Sequence, residues 1–307
     1  MTKFQSVEEV MADMEKYQKL QKNFSQKSSL PKKPGADNEC PKCNGKELVF
    51  YKVYRDENDE FGTDWAKPCE CSARKEWQRR FKSSMVPDEF VDARLDNFNM
   101  DTNIQNLMHE MTVDYLQEFS VYTAEDGRQE KKFSNYNFGL IAEVGESSMR
   151  ELNPVDRAKM KKLKNNFGIG KTHLQMALAK KLVKDGFNVL VVSDVTFIDD
   201  LMQARKADDN NESYFKLLDS ALKADVLIWD DIGKVSNTEP RERMYYTIIN
   251  ERYKRNKPIV FNSNEDRSSL AEKIGYAGAS RLFGECGRYL LEASGKDMRF
   301  KEVASNV

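Results

Sequence analysis

Residues 165–173 read NNFGIGKTH, and their types and order could hold a polyphosphate. Gly168 and Gly170 let the backbone turn its N–H groups inward, and a helix beginning at Lys171 would add its own unpaired N–H groups. Lys171 supplies an ammonium for the β- and γ-phosphates of ATP, and Thr172 supplies a hydroxyl for Mg2+. Asn165, Asn166, Phe167, Ile169 and His173 complete the stretch that would wrap the nucleotide. Such a loop ordinarily starts with glycine, and here Asn165 stands in that place. Asn is among the few other residues that tolerate a left-handed backbone, so Asn165 is expected to adopt one.

Two further stretches could finish the chemistry. In DVLIWDDIG (225–233) an apolar run ends in Asp230-Asp231. Asp230 is expected to join Thr172 in the magnesium shell, and Asp231 to orient and polarise an attacking water. Taken alone, the stretch also reads as a strand followed by an acidic turn. In PIVFNSN (258–264) another apolar run ends at Asn264, whose amide could stand between that water and the γ-phosphate.

A separate set of residues suits a metal. Cys40 and Cys43 form one close pair, Cys69 and Cys71 another. Two thiol pairs on separate turns can supply the four-sulfur tetrahedral shell that Zn2+ takes in structural sites. That shell is coordinatively closed and implies a scaffold role. Disulfides or unlinked cysteines are the alternatives. Cys286 stands alone and reads as a small buried side chain.

The elements that must position these groups follow from periodicity. Five short, near-continuous apolar runs (138–144, 187–197, 225–231, 258–264 and 289–294) alternate with helical stretches, as in a parallel sheet buried on both faces. Helices are expected over 102–119 and 172–186. The strand at 138–144 does not lead straight into the glycine-rich loop. A stretch near 145–164 intervenes, in which Asn153-Pro154 should cap and start a helix. That insertion is rich in lysine and arginine; it reads either as a solvated helix face or as a contact for nucleic acid or nucleotide. Before residue 88, ELVFYKVYR and FGTDWAKP could form a hairpin between the cysteine pairs, and a basic helix is expected over 73–84. Residues 4–24 carry a narrow apolar stripe behind a Ser6–Glu9 capping box, followed by a linker over 25–39. The expected domains are thus 1–39, 40–87 and 88–307.

The chain has 307 residues, 39% hydrophobic and 32% charged, with a formal net charge of -1. That composition suits a folded polar protein and disfavours one that lives by wrapping duplex DNA. No run reaches the length of a membrane helix and the first residues lack the core of a signal peptide, so a cytoplasmic protein with no membrane partner is expected.

With these pieces placed, the chain resembles the helicase loaders of the DnaC/DnaI type, within the AAA+ superfamily. The likeness runs from about residue 40 to the end and rests on CPKCNGKELVFY…AKPCEC, RRFKSSMVPDEFVDARLDNF, GIGKTHL, LLDSALKADVLIWDDIG and ASRLFGECGRYLLEASGKDMR. The resemblance implies an α/β AAA+ P-loop core, a parallel sheet flanked by helices, preceded by a helix and a small zinc module. It implies an ATPase that associates with itself, binds a hexameric replicative DNA helicase and helps place it on single-stranded DNA. It also implies residue roles. Arg281 matches the arginine finger that reaches a neighbouring subunit's nucleotide, with Arg288 as a fallback because Glu285 replaces a usual second arginine. Arg299 matches a second arginine that touches the phosphates of its own subunit. The N-terminal helix and the cysteine module are candidates for gripping the helicase, although the helix could equally pack on that module. Rival readings are an IstB-type transposition helper, a nucleotide-binding adaptor without turnover, and a zinc-dependent nucleic-acid binder indifferent to ATP.

Overall fold

The computed structural model describes residues 40–54, 61–72, 75, 79, 84–125 and 128–298. The helix expected over 4–24, the linker over 25–39, Arg299 and nearly all of the basic helix over 73–84 lie outside the described residues. Two compact units divide the chain, 1–72 and 73–307. The first unit takes in both cysteine pairs and ends at Ser72. Residues beyond it belong to the larger unit, where the Val191 N–H donates to the Ser84 carbonyl at 2.7 Å.

In the smaller unit, β1 (Leu48–Val53) and β2 (Thr63–Pro68) form the expected antiparallel hairpin, with Tyr51 opposite Trp65. The larger unit opens with α1 (Asn103–Leu116), closed by a Thr102–Gln105 capping box. A second hairpin follows, β3 (Ser120–Thr123) with β4 (Gln129–Lys132).

The apolar runs become the five strands β5 (Phe138–Ala142), β6 (Val189–Ser193), β7 (Val226–Asp230), β8 (Ile259–Asn262) and β9 (Leu290–Ala293). They form one parallel sheet in the order β6-β7-β8-β5-β9. Side chains alternate between its faces, as strand geometry requires. In β7, Val226 and Ile228 join one apolar core, while Leu227 and Trp229 join the other.

Helices cover both faces. They are α2 (Glu146–Glu151), α3 (Pro154–Leu163), α4 (Lys171–Lys184), α5 (Asp194–Ala204), α6 (Glu212–Lys223), α7 (Glu239–Lys254), α8 (Arg267–Ile274) and α9 (Tyr276–Gly284). The run at 187–197 is shorter as a strand than its apolar content suggests. Phe197, Ile198 and Leu201 recur at helical spacing and bury their side chains from α5, so the chain turns helical at Asp194. The Asp194 carboxylate is drawn into the core there, accepting from Trp229 Nε1 at 2.9 Å and from the Tyr245 hydroxyl at 2.7 Å.

The strand order explains where a site can form. The chain leaves β5 toward β6 on one side, whereas β8 continues to β9 on the other. Such a reversal opens a crevice at the carboxyl ends of neighbouring strands. The ends of β5, β8 and β7 lie side by side there.

Candidate functional site

The insertion between β5 and the glycine-rich loop is a closed excursion. The chain leaves at Val144, forms α2 and α3, and returns at Asn166, whose side-chain amide donates to the Val144 carbonyl at 3.2 Å and the Asn264 carbonyl at 3.0 Å. Lys164 pairs with Glu143 across the same root. Asn153 caps α3 as expected, accepting from the Val155 and Asp156 N–H groups. The loop is thereby restored to the end of β5 despite the intervening residues.

Within the loop, Gly168 has φ 64° and Gly170 has φ 101°, a backbone that favours glycine. Space demands glycine as well. A Cβ on Gly168 would lie 1.7 Å from Asp297 Oδ1, and one on Gly170 would lie 2.5 Å from the Phe98 ring. Asn165 does not take the left-handed backbone expected of it; the non-glycine residues with positive φ lie elsewhere. It serves through its side chain instead. Its amide donates to the Phe167 carbonyl at 2.7 Å and the Gly295 carbonyl at 2.8 Å, while the Gly295 N–H donates back to its carbonyl at 2.6 Å. The segment after β9 thus lies against the loop, and the Met298 N–H donates to the Gly168 carbonyl at 3.0 Å. Ile169 is buried and seats the loop in the core.

Lys171 is buried at the start of α4. Its ammonium donates to the Asn166 carbonyl at 3.0 Å and to Asn264 Oδ1 at 2.9 Å. The Thr172 hydroxyl donates to Asp230 Oδ1 at 3.1 Å. The Asn264 amide donates to Asp231 Oδ1 at 2.9 Å. Five expected residues, from two strand ends and one helix, therefore meet in one network. Burial raises the Asp230 carboxyl above its ordinary range, against the lowering effect of its Asn262 and Thr172 hydrogen bonds, and nearby Asp231 adds to the rise. A cation bound there would favour the charged form. Asp231 has φ 55°, a strained backbone for an aspartate, held by its N–H donating to Asn262 Oδ1 at 2.9 Å.

Asn262 is the site residue that sequence reasoning missed. Its amide donates to Asp230 Oδ1 at 2.6 Å and to Gln175 Oε1 at 2.5 Å, and its oxygen holds Asp231. Gln175 in turn donates to the Trp229 and Val260 carbonyls, both at 3.1 Å. The only sequence signal was a polar residue ending an otherwise apolar strand. His173 turns its ring outward, toward the Arg94 carbonyl at 3.0 Å and Asn97 Oδ1 at 3.1 Å. Only its backbone N–H is left to face the loop.

Arg281 on α9 is not among the partners of this network. Its guanidinium lies 5.1 Å from the centre of the Tyr246 ring and 5.9 Å from that of Tyr253, and donates to the Ala277 carbonyl at 2.9 Å. Arg288 is engaged by the Tyr289 hydroxyl at 2.6 Å. Cys286 is fully buried, as expected, and its thiol donates to the Leu282 carbonyl at 3.2 Å.

In the smaller unit, Cys40, Cys43, Cys69 and Cys71 converge with all four sulfurs within 4.8 Å of one another. Cys43 and Cys71 are 3.4 Å apart, Cys40 and Cys69 3.7 Å. A tetrahedral zinc shell with bonds near 2.3 Å places its sulfurs about 3.8 Å apart, so the donor set fits that ion. The thiols resist ionising together. The Lys42 backbone N–H draws Cys40 down to about 6, whereas burial pushes Cys71 up to about 12. A divalent cation is what lets four thiolates share one site.

Comparison with known proteins agrees with this geometry. The chain is 23% identical over 303 residues to YqaM of Bacillus subtilis (strain 168), covering 86% of this chain and 85% of that protein. It is 29% identical over 148 residues to the ATP-binding protein of insertion sequence IS21 from Pseudomonas aeruginosa, covering 47% of this chain and 54% of that one. It thus spans most of the first and about half of the second. Among solved structures, a crystal structure of the DnaC helicase loader matches 65% of this chain and 96% of its own, at 17% identity and a TM-score of 0.48. Residues 96–275, more than half of the chain and the part that holds the whole network around Lys171, match the family model of the IstB-like ATP binding protein. The chain belongs to that family, and its larger unit holds an IstB-like ATP-binding domain built on the five-stranded parallel sheet.

Proposed function

We propose that this protein is an ATP-driven helicase loader, and that its larger unit hydrolyses ATP. The observation that carries the reading is the single network joining Lys171, Thr172, Asp230, Asp231 and Asn264 at the switch point of the sheet. Backbone N–H groups of 166–172 and the Lys171 ammonium hold the phosphates. Thr172 and Asp230 would hold Mg2+, which would supply positive charge beside the phosphates. Asp231 orients the attacking water, and Asn264 keeps that carboxylate in register with Lys171.

Arg281 serves a neighbouring subunit and Arg299 its own, so that self-association and hydrolysis are linked. Loss of the γ-phosphate then loosens the assembly. The four cysteines hold Zn2+ as a scaffold, and the smaller unit contacts a hexameric replicative helicase. The load is that helicase, placed on single-stranded DNA in the cytoplasm. Among the described residues no helix is long and apolar enough to cross a membrane.

A second reading is favoured by the IS21 relative: a transposition helper with the same ATPase core. Weighing the complex formed with the host's replicative helicase, with and without MgATP, separates the two. A nucleotide-dependent complex supports the loader; capture of a transposase and duplex DNA instead supports the helper. Phosphate release beside a Lys171→Ala control tests turnover. Equal rates in the two proteins, with and without single-stranded DNA, would leave a nucleotide-binding adaptor.

A further inference from the structure

Helix α3 is built unlike the other helices of the larger unit. It has no buried residue. Its base is well anchored: the Arg157 guanidinium donates to the Met149, Arg150 and Leu152 carbonyls, and α2 is tied to the cap of α8 through Ser148 and Asp266. The rest of α3 stands in solvent as an arm on the closed excursion.

The charge on that arm is lopsided. Residues 150–164 hold six cationic side chains, Arg150, Arg157, Lys159, Lys161, Lys162 and Lys164, against two acidic ones, in a chain of net charge -1. Arg150 and Lys164 have carboxylate partners, and Arg157 is spent on carbonyls. Lys159, Lys161 and Lys162 are exposed, and among the described residues none of them has an ion pair or hydrogen bond. Arg157 and Lys161 are like charges four apart, and Lys159 and Lys162 are like charges three apart. Both spacings destabilise a helix unless an anion relieves them. Neither packing nor pairing within the protein accounts for this cluster.

Helical spacing puts Val155, Lys159, Lys162 and Leu163 on one face. Val155 is 64% exposed and Leu163 74%. That face alternates cations for phosphates with apolar surface on which unpaired bases can rest. A single strand leaves its base faces free to meet such a surface, whereas a duplex keeps most of that area stacked inside.

We infer that α3 is a binding arm for single-stranded DNA, with Lys159 and Lys162 on the phosphates across that face, Lys161 reaching a phosphate from beside it, and Val155 and Leu163 under the bases. This rests on the proposed function for the presence of the strand, but places the contact where nothing in the phosphate site requires one. The arm runs through Lys164 into Asn165, so the segment that meets the strand is continuous with the loop that meets ATP.

The test is fluorescence anisotropy of a labelled oligothymidine strand with the full chain, without nucleotide, across about 50 to 200 mM salt. The triple variant Lys159→Gln/Lys161→Gln/Lys162→Gln should bind at least about tenfold more weakly at the low-salt end, with a salt slope smaller by about 2, or 0.7 per lost phosphate contact. Its MgATP affinity should be unchanged, which also shows that it folds. The matching triple arginine variant should bind as the native protein does. An unchanged affinity and slope in the glutamine variant would overturn the assignment, as would a duplex that binds as tightly as the single strand and loses as much. Because nucleotide is left out and Lys171→Ala can be run in parallel, a failed ATP site and a failed arm give different results.

Discussion

The Asn264 amide stands between Lys171 and Asp231, accepting from the ammonium at 2.9 Å and donating to the carboxylate at 2.9 Å. One neutral side chain thus sets the distance between the group proposed to hold phosphate and the group proposed to orient water. Asn264→Ala should lower turnover about 10- to 100-fold, the worth of about 1.5–3 kcal/mol for hydrogen bonds to charged groups. MgATP affinity should change by less than about threefold, because the lost contacts orient groups that act in the transition state. Phosphate release and equilibrium binding, measured together, check this. A loss of MgATP affinity with turnover at saturation unchanged would make Asn264 a binding residue only.

Asn262 should matter to the fold as much as to the site. Replacing it with leucine strands Gln175 Oε1, the Asp231 N–H and one face of Asp230. Leaving such groups unpaired costs about 1–3 kcal/mol each when they are buried. Urea unfolding should show a loss in that range, and magnesium-dependent ATP affinity should fall with it. A variant as stable as the native chain would mean that the strained turn at Asp231 holds itself.

The four-cysteine cluster predicts one zinc ion per chain by elemental analysis, lost in Cys43→Ser. Zinc binding and folding are coupled in small units with little apolar core. Chelation should therefore remove hydrogen-exchange protection from residues 40–72. The larger unit is a separate compact body with its own core, so MgATP affinity should survive the same treatment. Collapse of nucleotide binding on chelation would show that the two units depend on each other.

Asp194 gives a pH signature. Burial raises its carboxyl to about 6 from an ordinary 3.8, outweighing the Tyr245, Val235, Trp229 and Lys234 donors aimed at it. With the folded value above the unfolded one, its stabilising contribution is complete below about pH 4 and is lost as pH rises through about 6. The change is about 3 kcal/mol. Native stability measured against Asp194→Asn should fall by that order between pH 4 and 7. A difference that stays constant across the range would count against it.

Most of the site was legible because its residues announce themselves. The GIGKT stretch, the paired aspartates and Asn264 just past β8 each follow an apolar run or begin a helix, and the sheet order brings their ends together. The four cysteines converge as their spacing implied. What was not legible depends on contacts between distant segments. Nothing around Asn165 in the sequence announces that its side chain would bond Gly295, so backbone tolerance seemed the natural explanation. Nor does Asn262 show, from its own strand, that Gln175 on α4 would meet it. The end of β6 differs for another reason: Asp194 is polar yet buried, and its Trp229, Tyr245, Lys234 and Val235 partners, all distant in sequence, satisfy it where the chain turns helical.

The hydrogen bond from Asn166 to Val144 turns the start of the phosphate loop into a splice point. The two ends of the excursion are clasped to each other, so α2 and α3 can be lengthened, trimmed or exchanged without breaking that clasp. A graft of any compact module whose termini lie close together, inserted between those two residues, should leave ATP binding intact and hand the engine a new cargo.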